Sequence, residues 1–245
     1  RQYTRRCRQR YIKEDKRNGM ISFEQLLNEG LYDKGIFKAF FLAGGPGSGK
    51  SFVTRDAFAG TGLKVINSDT HFERQLKQAG LSMSMPDAEM DQRDKIRAHA
   101  KALTSNQISQ YLKGKLGLVI DGTGRDHQLI AVQNAMLKQL GYDTHMVFVN
   151  TSLDVALERN EKRERTVPAF IAKKNWTIVQ SNIGRFQTMF GSGNFKIIDN
   201  NKSEQELVQN TLQIAAKYVR QKLNAPIQSY VAKRWMAGER KARRR

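Results

Sequence analysis

Residues 36–51 read IFKAFFLAGGPGSGKS, an apolar run followed by glycines, a lysine and a serine. The run from Ile36 to Ala43 is rich in aromatic and aliphatic residues, which is typical of a buried β-strand. Residues 44–51 match the pattern G-x-x-x-x-G-K-[ST] at every defined position. Glycines let successive backbone N–H groups point at phosphate oxygens, and a following helix adds its positive N-terminal end. The stretch therefore predicts a strand, a phosphate-binding loop and a helix in direct succession.

The loop residues predict a site for ATP together with Mg²⁺. The ammonium of Lys50 is expected to reach the terminal phosphates, and the hydroxyl of Ser51 is expected to contact Mg²⁺. Asp121 is a second predicted metal ligand, because it ends the apolar run LVID and ligands bind at the carboxyl ends of such strands. The alternative for Asp121 is a surface turn with the following glycine. The predicted nucleotide-binding residues of the loop are Gly44, Gly45, Pro46, Gly47, Ser48, Gly49, Lys50 and Ser51.

Beyond the loop, strand-like and helix-like segments alternate along the chain. Further strands are predicted at 64–66, 116–120, 144–149 and 195–198, and helices at 51–59, 70–79, 86–113, 126–140, from 152, at 168–190 and at 204–223. This alternation predicts a three-layer α/β P-loop NTPase fold, with a mostly parallel sheet of about five strands and helices on both faces. We predict one domain over residues 36–224, between a basic extension at 1–35 and a basic tail at 225–245.

The positive charge is concentrated at the two ends of the chain. The 245 residues carry a formal net charge of +19. Residues 1–17 hold eight Lys/Arg against two acidic residues, and residues 217–245 hold ten against one. Basic ends on a nearly neutral centre predict an acidic partner, such as nucleic acid or an acidic protein surface. The alternative is that both ends are solvated tails that only aid solubility.

Composition argues against several other classes of protein. Hydrophobic residues make up 39% and charged residues 27%, which is ordinary for a globular protein. The single cysteine, Cys7, rules out an intramolecular disulfide framework and a cysteine zinc cluster. No apolar run approaches the ~20 residues that a membrane span needs, so no membrane partner is expected. The expected location is the cytoplasm, or a virion and its host cytoplasm if the source is a phage.

Residues near Asp121 and Asp69 indicate which reaction the bound ATP undergoes. Motor and transport ATPases usually carry Glu directly after the strand-ending Asp to activate water, whereas Gly122 follows Asp121 here. This favours transfer of the phosphoryl group to a hydroxyl or phosphate acceptor. Asp69 follows the second predicted strand, and it is the candidate general base that contacts the acceptor. Its alternative role is the N-cap of the helix 70–79.

An arginine-rich segment predicts positive charge near the transferred phosphoryl group. Residues 158–168 read ERNEKRERTVP, and helical spacing would put Arg159 and Arg163 on one face. We predict Arg159, Arg163 and Arg165 as catalytic residues on a lid that closes over ATP. The alternative is an exposed helix with salt bridges between its glutamates and arginines.

Together these residues resemble the P-loop small-molecule kinases, most closely the zeta-toxin-like and polynucleotide-kinase-like group. The resemblance covers about residues 36–200 and rests on GGPGSGKS, on NSD at 67–69, on IDGTGR at 120–125 and on ALERNEKRERTVP at 156–168. It implies transfer of the γ-phosphate of Mg-ATP to a hydroxyl or phosphate of a small molecule, nucleotide or nucleotide sugar. It also implies that Asp69 and Arg125 contact this acceptor, and that Asp199 and Asn200 lie beside the adenine. The alternative for Asp199 and Asn200 is a plain turn after the last strand.

The sequence departs from zeta toxins at Asp121-Gly122, where they commonly carry Glu-Gly, and in its long basic ends. Two alternative functions stay open: a 5′-hydroxyl polynucleotide kinase, and a nucleic-acid-associated ATP-binding structural protein without kinase activity. The helical spacing of Trp176, Phe186 and Phe190 predicts core residues rather than residues that stack on a substrate.

Overall fold

The computed structural model describes residues 31–83, 87–162, 167–201 and 210–243. Three sets of predictions lie outside these ranges. The first is the basic segment at 1–17, with most of the N-terminal extension. The second is the pair of lid arginines Arg163 and Arg165. The third is the beginning of two predicted helices, residue 86 of 86–113 and residues 204–209 of 204–223.

Five parallel strands form one sheet in the described part of the chain. They are β1 (Lys38–Ala43), β2 (Lys64–Ile66), β3 (Leu118–Asp121), β4 (Asp143–Asn150) and β5 (Phe195–Asp199), in the order β2-β3-β1-β4-β5. β1 is central and pairs with β3 on one side and β4 on the other. Its pairing of Leu42 with Asp121 puts the carboxyl ends of β1 and β3 side by side. The predicted parallel α/β sheet of about five strands is confirmed.

Helices connect the strands and cover both faces of the sheet. Those before β4 are α1 (Lys50–Ala57), α2 (Ser68–Gln78), α3 (Met90–Lys113) and α4 (His127–Gln139). Those after β4 are α5 (Leu153–Glu161), α6 (Ala169–Ser181), α7 (Ile183–Phe190), α8 (Leu212–Asn224) and α9 (Tyr230–Arg243). A short 3₁₀ turn at Asp87–Glu89 precedes α3, where the sequence predicts the first turn of one longer helix. None of the described helices has the length and hydrophobicity that crossing a membrane requires.

Alternate residues of β1 enter two separate hydrophobic clusters, one on each face of the sheet. Phe41 packs in the first cluster with Phe186 of α7. Phe40 packs in the second with Val53 of α1 and Val219 of α8. Because the side chains of a strand alternate between faces, a strand that is apolar on both faces has to be covered on both sides. The three-layer arrangement follows from this property of β1.

The predicted helix 168–190 consists of two helices that meet at Asn182. Asn182 is buried, and its side-chain amide donates to the backbone oxygens of Gly124 and Arg125 at 3.0 and 3.1 Å. These bonds tie the junction of α6 and α7 to the loop after β3. Asn182, at the interruption between the two helices, therefore holds the loop that follows Asp121 in place. The hydrophobic spacing along 168–190 does not indicate this interruption.

Helix α9 packs against the amino-terminal edge of the sheet. Ala232 is fully buried, and the ring of Trp235 lies edge-on to Phe37 with 5.4 Å between centroids. Just before α9, the backbone N–H of Gln228 donates to the Asp143 carboxylate at 3.0 Å. The domain predicted from the sequence ends at residue 224 and does not include α9. Lysine and arginine dominate the composition of 225–245, and they obscure the apolar face of this helix.

Candidate functional site

The glycine loop connects β1 to α1 at the carboxyl edge of the sheet. Gly47 and Gly49 have φ angles of +75° and +85°, in the left-handed region that favours glycine. A Cβ at Gly47 would collide with the backbone oxygen of Ala156 in α5, and a Cβ at Gly49 would collide with the amide of Asn200. These two glycines are therefore required by the packing of the loop as well as by its backbone conformation.

The loop has the features of a phosphate-binding site. Lys50 begins α1, and its ammonium donates to the backbone oxygen of Gly44 at 2.6 Å. The hydroxyl of Ser48 is buried and has no hydrogen-bond partner among the described residues. Ser51 lies in the first turn of α1 with an exposed side chain. An ammonium, an unsatisfied buried hydroxyl and a helix N-terminus together suit an anion, so the loop fits the phosphates of ATP.

Asp121 ends β3 beside the loop, where its carboxylate accepts a hydrogen bond from Asn67 Nδ2 at 2.8 Å. Burial raises the pKa of Asp121, although the Lys50 ammonium and the Asn67 hydrogen bond act to lower it. The negative charge of Asp69 adds to the increase in this pKa. Lys50 and Asp69 thus each lie within electrostatic reach of Asp121. Because Mg²⁺ prefers oxygen ligands, the Asp121 carboxylate and the Ser51 hydroxyl are suited to hold it.

Asp69 lies in the first turn of α2 and not at its cap. The N-cap is Asn67, whose side-chain oxygen accepts a hydrogen bond from the Asp69 N–H at 2.8 Å. The alternative role of Asp69 as N-cap is therefore wrong, because the helix begins two residues earlier than predicted. The Asp69 side chain is 53% exposed, and its Oδ1 lies 4.0 Å from Nη1 of Arg97 in α3. The carboxylate is accessible on the same edge of the sheet as Asp121.

The predicted arginines occupy different places. Arg159 lies on α5, and its guanidinium donates to the backbone oxygen of Asn200 at 2.8 Å. Arg125 is exposed, and its guanidinium donates to the side-chain oxygen of Asn175 in α6 at 3.4 Å. Arg163 and Arg165 are outside the described residues. Arg159 therefore contacts the loop after β5, whereas Arg125 contacts α6.

Asp199 and Asn200, predicted beside the adenine, differ in burial. Asp199 is exposed, and its carboxylate accepts a hydrogen bond from the Asn201 N–H at 3.2 Å. Asn200 is only 1% exposed, and its amide donates to the backbone oxygen of Ser48 at 2.6 Å. Asn200 thus braces the phosphate-binding loop across 152 positions of sequence. The sequence carries no local signal for this role, since it depends on where β5 lies in the sheet.

The aromatic residues predicted as core have two different environments. Phe186 and Phe190 are buried in the core as predicted. Trp176 is partly exposed and packs on the phosphate-binding loop, where a Cβ built on Gly45 would lie 3.4 Å from its ring. Its Nε1 donates to the backbone oxygen of Thr151 at 2.9 Å. Trp176 therefore links the loop after β4 to the phosphate-binding loop.

Asparagine side chains hold several loops at this edge of the sheet. Asn160 of α5 is an example, since its amide donates to the Val167 backbone oxygen at 2.6 Å and its oxygen accepts from the Val167 N–H at 3.1 Å. Asn182 and Asn200 donate to backbone oxygens of other loops at this edge, and Asn67 accepts from the Asp69 N–H while it donates to the Asp121 carboxylate. A side-chain amide has both a donor and an acceptor, so it can satisfy backbone groups that loops leave unpaired. Sequence reasoning did not assign these roles.

Solved structures share this fold at low sequence identity. A putative kinase from Chloroflexus aurantiacus is 17% identical with a TM-score of 0.55, over 76% of this chain and 97% of that one. A structure of the PezAT chromosomal toxin–antitoxin system of Streptococcus pneumoniae is 15% identical with a TM-score of 0.52, over 82% and 95%. AvrRxo1-ORF1:-ORF2 with ATP is 13% identical with a TM-score of 0.50, over 86% of each chain. No curated protein matches this sequence.

A protein-family comparison covers the strands and loops of the site. The model of the AAA_33 family, described as an AAA domain, matches residues 40–185, which is more than half of the chain. The matched region begins within β1 and contains the phosphate-binding loop, Asp69 and Asp121. The chain therefore belongs to the AAA_33 family, and it has the P-loop kinase-like fold that its sequence predicts.

Proposed function

We propose that the protein is an ATP-dependent phosphotransferase that moves the γ-phosphate of Mg-ATP to a hydroxyl or phosphate of a small molecule, nucleotide or nucleotide sugar. The proposal rests on the convergence of Lys50, Asp69 and Asp121 at one edge of the sheet, next to a loop that fits phosphates. The kinase-like fold of the family supports the same class of reaction.

The chain's own groups bind and orient the donor. Backbone N–H groups of residues 44–51 and the Lys50 ammonium hold the phosphates. Ser51 and Asp121 would hold Mg²⁺, which when bound neutralises part of the phosphate charge. Arg159, held at the loop after β5 by its bond to the Asn200 oxygen, adds positive charge on the same side of the domain.

Asp69 orients the acceptor group and accepts its proton when that group is a hydroxyl. Two observations support this role. The Asp69 side chain is exposed, and Asn67 rather than Asp69 caps α2. Gly122 offers no carboxylate at the position where a motor ATPase activates water, and its N–H donates to the Leu42 backbone oxygen at 3.2 Å. These features favour transfer to a bound acceptor over hydrolysis of ATP.

The test is transfer of labelled γ-phosphate from ATP to nucleosides, nucleotides, nucleotide sugars and oligonucleotides with a 5′-hydroxyl. We expect labelled product with the wild-type protein and a rate lower by about a hundredfold or more with Lys50→Ala, because the phosphates lose their fixed cation. Lys113→Ala, which removes an exposed ammonium at the end of α3, is the control and should transfer normally. Wild-type transfer by Lys50→Ala would refute the assignment.

A second candidate is association with nucleic acid or another acidic surface, as a 5′-hydroxyl polynucleotide kinase or as an ATP-binding structural protein. The supporting observation is that α9 has exposed basic residues and packs at the amino-terminal edge of the sheet, opposite the phosphate-binding loop. These residues are Lys233, Arg234, Arg240, Lys241 and Arg243. A polynucleotide bound there would be anchored away from the site of phosphoryl transfer.

Charge removal tests this candidate better than truncation, because Ala232 and Trp235 of α9 pack against the core. Arg240→Ser combined with Lys241→Ser should weaken oligonucleotide binding and reduce the slope of log affinity against log salt by about 2. Binding with an unchanged slope would reject α9 as the anchor. Phosphate transfer to a small acceptor should persist in the same variant.

A further inference from the structure

A cavity of about 280 Å³ opens beside Asp121, between α3, α4 and the sheet. Its body is mostly apolar and is lined by strand and helix side chains that include Phe41, Ile66, Ile108, Ile120, Leu129 and Met136. Thr104 of α3 and Gln133 of α4 are uncharged polar members of the same lining. Its polar end is formed by Asp121 with the glycine-rich turn that follows it, and by Ser68 at the start of α2. A concave apolar site with a few polar groups at one end is the usual form of a small-molecule pocket.

The polar end of this cavity adjoins the phosphate-binding loop. Thr123 lines the cavity, and its backbone oxygen accepts a hydrogen bond from the Gly44 N–H at 3.1 Å. Asp121 lines the cavity as well, and it lies within electrostatic reach of the Lys50 ammonium. A molecule in the cavity would therefore present one end to the place where the terminal phosphate of ATP is held.

The lining offers an anion no positive charge from the described residues. Its charged members are two carboxylates, Asp121 and Asp126, and the Asp126 side chain caps α4 by accepting from the Leu129 N–H at 2.9 Å. Arg97 is not one of the lining residues. Its guanidinium lies over the ring of Phe72, 4.0 Å from the centroid, and its Nη1 lies 4.0 Å from Oδ1 of Asp69. A phosphate or carboxylate in such surroundings would lose hydration without gaining a cation, which is strongly unfavourable.

We propose that this cavity holds the body of the phosphate acceptor, and that the acceptor is a small alcohol with an apolar body and no anionic group. The inference rests on the proposed phosphotransferase function and narrows it, because nucleotides and nucleotide sugars are disfavoured. In the reaction, the alcohol oxygen bonds to the γ-phosphorus while the bond from that phosphorus to the β–γ bridging oxygen breaks. ADP leaves with the bridging oxygen, and the alcohol proton passes to Asp69.

Matched acceptor pairs test the charge requirement. Methyl mandelate and mandelate carry the same secondary hydroxyl on the same apolar body, and only mandelate carries a negative charge. Uridine and its 5′-monophosphate share the 2′- and 3′-hydroxyls, and only the monophosphate is anionic. We expect kcat/KM for labelled phosphate transfer to favour the neutral member of each pair by about tenfold or more. Binding of the same four probes, followed by ligand-observed NMR, should show the same preference without any turnover.

Two lysine substitutions on α4 distinguish the effect of a positive charge inside the cavity from the effect of the same charge elsewhere on the surface. Met136 lines the cavity and is 41% exposed, whereas Val132 is 67% exposed and does not line it. Met136→Lys should reduce the preference for neutral probes by about tenfold, because its ammonium can pair with an anion in the cavity. Val132→Lys adds the same charge one turn away and should leave the preference unchanged. Circular dichroism establishes that both variants fold.

The outcomes separate the acceptor class from the function. The proposal is supported if the wild-type protein prefers neutral probes, if Met136→Lys reduces this preference, and if Val132→Lys leaves it unchanged. Equal or better transfer to the anionic members, or equal responses of the two variants, would overturn the acceptor class while leaving the kinase function intact. Absence of transfer to any acceptor, with ATP bound, would overturn the phosphotransferase function and the acceptor assignment with it.

Discussion

Replacing Asn200 by alanine tests whether the end of β5 braces the phosphate-binding loop. The Asn200 amide donates to the backbone oxygen of Ser48 at 2.6 Å, and it fills the space that a side chain at Gly49 would need. In Asn200→Ala, the Ser48 oxygen loses this donor in a buried environment. The backbone bonds of residue 200 to Asn150 and Arg159 do not depend on its side chain, so the change is confined to the brace.

The expected magnitude follows from the burial of this bond. Leaving a buried acceptor unsatisfied costs about 1–3 kcal/mol. For a domain of this size each kcal/mol lowers Tm by about 2–4 °C, so we expect Tm to fall by about 2–12 °C. If the same loss applies to the loop conformation that binds phosphates, the Kd for ATP should rise about 5- to 150-fold.

Thermal unfolding followed by circular dichroism measures the first quantity, and titration calorimetry with ATP measures the second. Asn106→Ala is the matched control, because Asn106 is exposed on α3 and its substitution should change stability by less than about 0.5 kcal/mol. A decrease in Tm below about 1 °C together with unchanged ATP affinity in Asn200→Ala would refute the bracing role.

Three further substitutions have distinct expected outcomes. Asp69→Asn should leave ATP affinity within about twofold and slow labelled phosphate transfer by about a hundredfold or more; unchanged transfer would exclude Asp69 as the base. Asp143→Asn leaves the ammonium of Lys38, which is 2% exposed, without its partner at 2.9 Å. Urea unfolding should show a loss of about 3–5 kcal/mol, and a loss below about 1 kcal/mol would contradict an essential ion pair. Burial, with smaller effects of nearby lysines, lowers the pKa of His145 from 6.5 to about 4. The unfolded chain then takes up this proton first, so the stability present above pH 6.5 is lost as pH falls towards 4. His145→Gln should flatten this part of the pH–stability profile, and identical slopes for both proteins would disprove the cause.

The sheet and the positions of the glycine loop and of Asp121 in it could be predicted because their signals are local. The apolar run of β1 and the loop after it occupy sixteen consecutive residues, 36–51, and each part constrains the next. A strand buried on both faces requires helices on both sides, so the layer arrangement follows from one strand. Asp121 could be assigned in the same way, because a carboxylate directly after an apolar strand has to lie at the edge where β1 also ends.

Other features could not be predicted because they depend on contacts between distant segments. Composition described 225–245 as a basic tail, although Ala232 and Trp235 give α9 one apolar face that packs on the core. Asp69 was a possible cap, and only the hydrogen bond from its N–H to Asn67 shows that the cap lies two residues earlier. Helical spacing grouped Trp176 with the core, whereas its ring packs on Gly45.

Short-range patterns in the sequence are thus sufficient for the fold class and for the location of the glycine loop and Asp121 at one edge of the sheet. The tertiary structure alone reveals why Gly47 and Gly49 must be glycines, since Ala156 and Asn200 approach them from other parts of the chain. It also reveals the apolar cavity beside Asp121, which α3 and α4 form only after both pack on the sheet. The physical reason is that these contacts are set by the strand order β2-β3-β1-β4-β5, which brings together residues that local patterns cannot relate.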